Sequence, residues 1–262
     1  MGLKDLELYG QVAIVTGAGR GVGRGIATIL AEAGATVICS ARSRSEIEGT
    51  ADVIRAAGGK AYIQVADVMK RQDLDALAKE TMSRHGRIDI LVNNAGGADF
   101  IPFLETTEEQ FRYHFDWNTT SAFLMSQAVT PFMTAAGQGS IVNVSSGAAR
   151  IGIRGLVSYG VAKAGLEQLT RGLAQELAPK IRVNCVSLGA IMTPALQRTF
   201  DMAPGLREGM LALTPLRTHG EPEGVGLGVL YFCSRNCYAT GSILQIDGGI
   251  QDTNMPTRLP DL

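Results

Sequence analysis

Short apolar runs alternate with amphipathic stretches along the chain. The apolar runs predict strands at 11–17, 35–42, 60–68, 88–97, 139–146, 181–189 and 242–249. The amphipathic stretches predict helices at 21–34, 44–59, 71–85, 107–135, 156–178 and 222–234. Because the strands read as continuous apolar runs and helices separate them, the pattern indicates a parallel sheet covered on both faces. We therefore predict an α/β, doubly wound fold with about seven strands.

No linker-like change of composition divides the chain, so we predict a single domain over residues 1–262 with its core at about 10–250. A loop-rich insertion at 194–220 is predicted to be a substrate lid, and the tail at 250–262 has little periodicity. Two readings of the insertion stay open, a cover over the substrate or a segment packed onto its own body. Both depend on its apolar residues, which are Leu196, Phe200, Met202, Met210 and Leu211.

Composition excludes several classes of function. Hydrophobic residues make up 45% of the chain and charged residues 19%, so a sizeable core can form. With a net charge of -1 and no basic run, the chain has no footprint for nucleic acid or an anionic membrane. The N-terminal "MGLKDLELYG" has no signal-peptide core, and no metal-site spacing links the four scattered cysteines or the histidines. We predict a reduced, cytoplasmic protein without a metal, membrane or nucleic-acid partner.

The first predicted strand runs into "TGAGRGVG" at 16–23. Its glycines allow a tight turn, and the helix that follows offers free N–H groups to a pyrophosphate. The spacing is T-G-x-x-x-G-x-G rather than G-x-G-x-x-G, because Val22 stands where the third glycine would fall. We predict dinucleotide contacts from this turn at Gly17, Gly19, Arg20, Gly21, Val22 and Gly23.

The end of the second strand indicates which dinucleotide binds. An acidic residue there holds the ribose 2′-hydroxyl of NAD, whereas an arginine accepts the 2′-phosphate of NADP. This strand ends at Ser40, Ala41 and Arg42, with no acid and a second cation available at Arg20. We therefore predict that NADP(H) binds through Ser40, Arg42 and Arg20. The alternative is that both arginines are solvated surface charges with no role in cofactor binding.

Polar and Gly-rich residues also follow the third and fourth strands. Asp67 is predicted to accept a hydrogen bond from adenine, although a helix N-cap or an Asx turn explains it equally well. The "NNAG" at 93–96 suits an unusual backbone turn beside a cofactor. The remaining contacts predicted in this half are Val68, Asn94, Ala95 and Gly96.

Four motifs occur in order along the chain: "TGxxxGxG", "NNAG", a serine thirteen residues before Tyr159, and "YxxxK". Together they resemble the short-chain dehydrogenase/reductase family over roughly residues 10–250. The resemblance implies a Rossmann fold, a nicotinamide cofactor at the carboxyl ends of the strands, and assembly into dimers or tetramers. The long helices at about 107–134 and 156–178 would form that assembly.

The resemblance also implies a role for each catalytic residue. Tyr159 would be the general acid/base, with its pKa lowered from ~10 toward neutrality. Lys163, one turn later on the same helix face, would supply the charge that does this and hold the nicotinamide ribose. Ser146 would bind the substrate oxygen, and is preferred to Ser145 by its offset from Tyr159. Asn118 would link Lys163 through water to solvent.

One position departs from the family pattern. The family's usual Pro-Gly after the sixth strand is here Leu188-Gly189. Because proline stiffens a turn, its absence is expected to loosen the nicotinamide clamp at Ile191 and Thr193.

The predicted function is NADP(H)-dependent interconversion of a ketone and a secondary alcohol. Three segments, at 97–103, 147–157 and 194–220, should shape the substrate site. Their apolar content predicts a 3-oxoacyl, steroid-like or bulky ketone substrate. An NAD-linked alcohol dehydrogenase of the same family and a non-catalytic dinucleotide-sensing or partner-binding protein are the alternatives.

Overall fold

The computed structural model describes residues 3–250, so the predicted tail at 250–262 lies outside them except for its first residue. Seven strands form one parallel sheet in the order β3-β2-β1-β4-β5-β6-β7. The strands are β1 (Val12–Thr16), β2 (Thr36–Ala41), β3 (Lys60–Val65), β4 (Ile90–Asn93), β5 (Gly139–Ser146), β6 (Ile181–Leu188) and β7 (Ile243–Ile246).

Helices cover both faces of the sheet, so the predicted doubly wound Rossmann fold is confirmed. One buried cluster packs under the first, second and last helices, and a second cluster packs under the third, fifth and sixth. The helices are α1 (Gly21–Glu32), α2 (Arg44–Ala56), α3 (Arg71–His85), α4 (Glu108–Phe115), α5 (Ser121–Ala136), α6 (Val157–Leu177), α7 (Pro194–Met202), α8 (Leu206–Leu213) and α9 (Pro222–Cys233).

The strand order reverses at β1. From β1 the chain moves outward to β2 and β3, then returns to place β4 on the other side of β1. In an open parallel sheet, ligands bind in the crevice at such a switch point, outside the carboxyl ends of the strands. The Gly-rich turn after β1 and the "NNAG" segment after β4 both lie at this point.

The helix predicted at 107–135 is not continuous. It divides into α4 and α5 around a π-helical segment at Asp116–Thr120. A π turn contains one residue more than an α turn and often marks a functional site. Here it contains Asn118, whose side chain turns toward the loop after β4.

The insertion at 194–220 contains α7 and α8. Phe200 is buried and its ring lies 5.2 Å from that of His219, so this part of the insertion packs against another part of itself. Met202 is 78% exposed, which leaves it available to a ligand. Within residues 3–250, no helix is both long enough and apolar enough to cross a membrane.

The four cysteines are free and buried. Burial raises the pKa of Cys39, Cys185 and Cys233 to about 12. Among the described residues, no group of three or more His, Cys, Asp or Glu side chains is placed to hold a metal.

Candidate active site

The Gly-rich turn after β1 is shaped to receive a phosphate group. Gly17 and Gly21 have φ angles of 64° and 51°, a left-handed conformation that glycine adopts without strain. A Cβ on Gly23 would lie 2.1 Å from the Gly17 carbonyl oxygen, so α1 packs directly against the turn. No side chain caps the start of α1 and its first turn has no acidic residue. The first N–H groups of this helix therefore suit a pyrophosphate.

The loop after β4 is fastened to that turn by hydrogen bonds. The Thr16 hydroxyl accepts from the backbone N–H groups of Asn94 and Ala95, both at 3.1 Å. The Asn94 side chain donates to the carbonyl oxygens of Thr16 and Gly17 at 2.9 and 3.2 Å. These contacts fix the relative position of the two loops that a dinucleotide would contact. The sequence analysis did not predict this role of Thr16, although Thr16 is the first residue of the "TGAGRGVG" turn.

The ends of β2 and β3 bring Ser40, Arg42 and Asp67 to the same edge of the sheet. The Ser40 hydroxyl is buried and has no hydrogen-bond partner among residues 3–250, so it can serve a ligand. Arg42 is exposed. One oxygen of Asp67 accepts from the Met69 N–H at 3.1 Å, which is the predicted Asx turn. Val68 is buried in the core cluster beside α3.

A carboxylate that the sequence interpretation did not place lies beside the Gly-rich turn. Glu46, in the first turn of α2, pairs with Arg20 at 3.3 Å between Oε1 and Nη1. A Cβ on Gly19 would lie 2.7 Å from the Glu46 Cβ, so the two segments are in close contact. Glu46 therefore already neutralises Arg20, one of the two arginines predicted to bind the 2′-phosphate. Arg42 has no ion pair within residues 3–250.

Lys163 lies in the N-terminal half of α6, one turn after Tyr159. Its Nζ is 5.7 Å from the centre of the Tyr159 ring and donates to the Val144 carbonyl oxygen at 2.8 Å. The residue is 4% exposed. Burial lowers the pKa of Lys163 from 10.5 to about 8, so the ammonium form is retained at neutral pH.

The side chains of Tyr159 and Ser146 are hydrogen-bonded to each other. Burial raises the pKa of Tyr159, and its hydrogen bond with the Ser146 side chain lowers it by less. In the protein alone, Tyr159 is therefore a neutral phenol, opposite to the direction expected for a ready proton acceptor. The Ser146 hydroxyl also accepts from the Ala148 N–H at 3.2 Å. Ser145, the competing serine, turns its hydroxyl toward α6 instead.

Asn118 fastens the loop after β4 to the π-helical segment. Its Oδ1 accepts from the Gly97 N–H at 3.0 Å, and its Nδ2 donates to the carbonyl oxygens of Gly97 and His114, both at 2.9 Å. A Cβ on Gly96 would lie 2.4 Å from Asn118 Oδ1 and 3.3 Å from Lys163 Nζ. The Asn118 side chain thus reaches the loop right beside Lys163. The water link between Asn118 and Lys163 stays a prediction.

We expect Asn118→Ala to destabilise the protein by about 2 kcal/mol, because the substitution removes one buried and two partly buried hydrogen bonds and leaves polar groups unpaired. Urea denaturation measures the change in unfolding free energy. Thr120→Ala, which removes a more exposed hydrogen bond in the same π-helical segment, is the control. Equal stability of the two variants would contradict this role.

The predicted nicotinamide clamp follows β6. A Cβ on Gly21 would lie 3.0 Å from the Thr193 Cγ2, so Thr193 contacts the Gly-rich turn, and Ile191 is buried beside Gly220. Strand pairing continues through Leu188 to both neighbouring strands. Gly189 then donates to the Ile246 carbonyl oxygen at 3.0 Å, which holds the turn without a proline.

Comparisons with known proteins agree with this architecture. A family model described as enoyl-(acyl carrier protein) reductase matches residues 17–251. The 7alpha-hydroxysteroid dehydrogenase of Escherichia coli (strain K12) is 38% identical over 253 residues, which cover 95% of this chain and 98% of that protein. The 3-oxoacyl-[acyl-carrier-protein] reductase of Thermotoga maritima is 34% identical over 247 residues, covering 94% and 99%.

A solved structure of 7alpha-hydroxysteroid dehydrogenase, complexed with NADH and 7-oxo glycochenodeoxycholic acid, superimposes with a TM-score of 0.91. It is 37% identical and covers 95% of this chain and 97% of that chain. The fold and these similarities define an oxidoreductase that uses a nicotinamide dinucleotide. The chain belongs to the short-chain dehydrogenase/reductase family.

Proposed function

We propose that this protein is an NADP(H)-dependent reductase that interconverts a ketone and a secondary alcohol, with Tyr159 as its general acid/base. The observation that carries the proposal is the placement of the Lys163 ammonium 5.7 Å from the centre of the Tyr159 ring, with Ser146 as the hydrogen-bond partner of the same phenol. A phenol, a hydroxyl and a cation that converge beside a dinucleotide crevice suit proton transfer to a carbonyl oxygen.

Each residue contributes one part of that reaction. When bound, the reduced nicotinamide would supply a hydride to the carbonyl carbon. Ser146 donates a hydrogen bond to the substrate oxygen, and Tyr159 gives that oxygen its proton. The raised pKa of Tyr159 keeps this proton available at neutral pH. Lys163 stabilises the phenolate that remains, because its ammonium is close and poorly solvated.

The NADP(H) preference rests on Arg42. This arginine follows β2, where the strand end carries no acidic residue, and its guanidinium has no ion pair within residues 3–250. Its charge is therefore available for a bidentate contact with a 2′-phosphate. Arg20 contributes less, because Glu46 already neutralises it. The homologous complex with NADH supports the alternative kept open from the sequence, an NAD-linked enzyme of the same family.

Paired fluorescence titrations with NADPH and NADH test the cofactor preference. We expect the wild-type protein to prefer NADPH, and Arg42→Ala to weaken NADPH binding by roughly tenfold or more while NADH binding stays the same, because one charge-assisted contact is lost. Arg44→Ala is the control, since Arg44 is a nearby exposed arginine that pairs with Glu48. Equal affinity for both cofactors in wild type and Arg42→Ala would favour the NAD-linked enzyme.

We propose an apolar ketone of moderate size as the substrate. Large apolar side chains are exposed on the three segments predicted to shape the site: Phe100 at 68%, Ile153 at 43% and Met202 at 78%. Such a surface suits a 3-oxoacyl, steroid-like or bulky ketone. The names of the two relatives, a hydroxysteroid dehydrogenase and a 3-oxoacyl reductase, support the same range of substrates.

We also propose a cytoplasmic homo-oligomer, a dimer or a tetramer. Support comes from exposed apolar side chains on the helices that the resemblance assigns to assembly. They are Phe111, Tyr113, Phe123, Val157 and Val161, each between 38% and 45% exposed. An apolar surface of this kind on a soluble protein is typical of a subunit interface.

A further inference from the structure

Ser145 and Glu167 form a hydrogen-bonded pair behind the active site. The Ser145 hydroxyl donates to Glu167 Oε1 at 3.1 Å and lies 3.4 Å from the Lys163 carbonyl oxygen. Ser145 is 3% exposed, and the Glu167 side chain is 13% exposed. Burying a carboxylate to this extent lowers stability unless the carboxylate has a hydrogen-bond partner. Ser145 supplies one such partner to Glu167.

The pair lies next to the reacting groups along both elements. Ser145 immediately precedes Ser146 on β5, and Glu167 is one helical turn beyond Lys163 on α6. Lys163 in turn donates to the carbonyl oxygen of Val144, the residue before Ser145. Two adjacent residues of β5 are thus bonded to two successive turns of α6.

These bonds lie along the side of α6 that also carries Tyr159. Tyr159, Lys163 and Glu167 follow one another at intervals of four residues, so they share a face of α6 that runs along the end of β5. If β5 slid or rotated relative to α6, the Ser146 hydroxyl would move away from the phenol. Catalysis is sensitive to such shifts, because a displacement of about 1 Å can cost roughly 10²-fold in rate.

We propose that Ser145 and Glu167 are positioning residues, whose hydrogen bond holds β5 against α6 and aims Ser146 at the substrate oxygen shared with Tyr159. Neither residue touches the substrate. This inference rests on the proposed function. The other Glu167 oxygen is 3.9 Å from an Arg171 nitrogen at the surface, which leaves Ser145 as the closer partner.

A double-mutant cycle in kcat tests the pair, with NADPH and a ketone that the wild-type protein reduces. We expect Ser145→Ala and Glu167→Met each to lower kcat about tenfold, and the double variant to be no worse than either, because both remove one hydrogen bond. The KM for NADPH should stay unchanged. Glu167→Gln retains an acceptor for the Ser145 hydroxyl and should restore most of the wild-type kcat.

Glu176→Met is the matched control, because Glu176 is an exposed glutamate on the same helix. Losses that add in the double variant, or a Gln variant as slow as Met, would overturn the proposal. If Glu167→Met fails to fold, the kcat of Ser145→Ala alone tests the proposal, because that substitution removes a single oxygen atom and should leave the fold intact. Turnover that depends on Tyr159 but not on Ser145 overturns this inference alone. Absence of any turnover that depends on Tyr159 overturns the proposed function as well.

Discussion

Tyr159→Phe is expected to lower kcat for ketone reduction by roughly 10³-fold, within the range that general acid catalysis contributes. The substitution removes only the phenolic oxygen, so the ring still packs near Lys163 and the fold should be unchanged. NADPH should bind with nearly the wild-type affinity, because the Gly-rich turn and Arg42 are untouched. Loss of NADPH absorbance on addition of ketone measures turnover, and fluorescence titration measures binding.

Tyr238→Phe is the control for this experiment, because Tyr238 is fully exposed and far along the chain from α6. It should react as fast as the wild-type protein. Full activity of Tyr159→Phe in a cellular assay would instead support a dinucleotide-sensing protein without turnover. Loss of both turnover and NADPH binding would show that Tyr159 acts on the cofactor more than on the substrate.

Elements with strong local signals could be predicted to the residue. The helix at 71–85 has the predicted bounds, because Gly86 takes the left-handed conformation that ends a helix, and the strand at 139–146 has its predicted bounds as well. The fourth strand is shorter than the predicted 88–97. Its last residues leave the sheet, since the N–H groups of Asn94 and Ala95 bond Thr16 and that of Gly97 bonds Asn118.

Features that depend on distant contacts could not be predicted from local pattern. The residues that flank the π-helical segment keep helical backbone angles, so periodicity runs through the break without a signal. The partner that Asn118 gains there, Gly97, is 21 residues away. Glu46 was missed for the same reason, because only the packing of α2 on the turn brings it to Arg20.

The spacing of the proposed catalytic residues along the sequence was more informative than the sequence around them. Their types and offsets indicated Ser146, Tyr159 and Lys163, and the structure brings these three together. Glu167 continues the four-residue interval from Tyr159 and Lys163, which is a signal that the sequence contained. Its partner could not be inferred, because the pairing of β5 with α6 is a tertiary contact.

Lys163→Met is expected to reduce kcat by at least roughly 10²-fold, the usual cost of one lost electrostatic stabiliser of charge in the transition state. Methionine has a similar length and no charge, so it fills the same buried space. Ketone reduction by the wild-type protein should also decline as pH rises past about 8, where the Lys163 ammonium loses its proton. The residual activity of the variant should lack that decline.

The same substitution should not destabilise the protein at neutral pH. The pKa of Lys163 is about 8 in the folded protein and 10.5 when unperturbed, so folding holds a proton on Lys163 against its preference at any pH below 8. This pKa difference corresponds to a cost of roughly 3 kcal/mol for keeping the buried Lys163 charged in the wild-type protein. The variant avoids that cost but loses the hydrogen bond to Val144, which offsets about 1 kcal/mol of the gain.

The pH dependence of stability separates this penalty from other effects. Between pH 8 and 10.5 the unfolded chain binds the Lys163 proton more tightly than the folded protein, so the wild-type free energy of unfolding gains a contribution that rises with pH. Lys163→Met lacks it. Urea denaturation of both proteins across this window should show the variant's advantage at neutral pH shrinking as pH rises. A difference in unfolding free energy between the two proteins that does not change with pH would contradict a buried ammonium at Lys163. A protein that keeps a buried charge at the expense of stability does so because the charge serves its function.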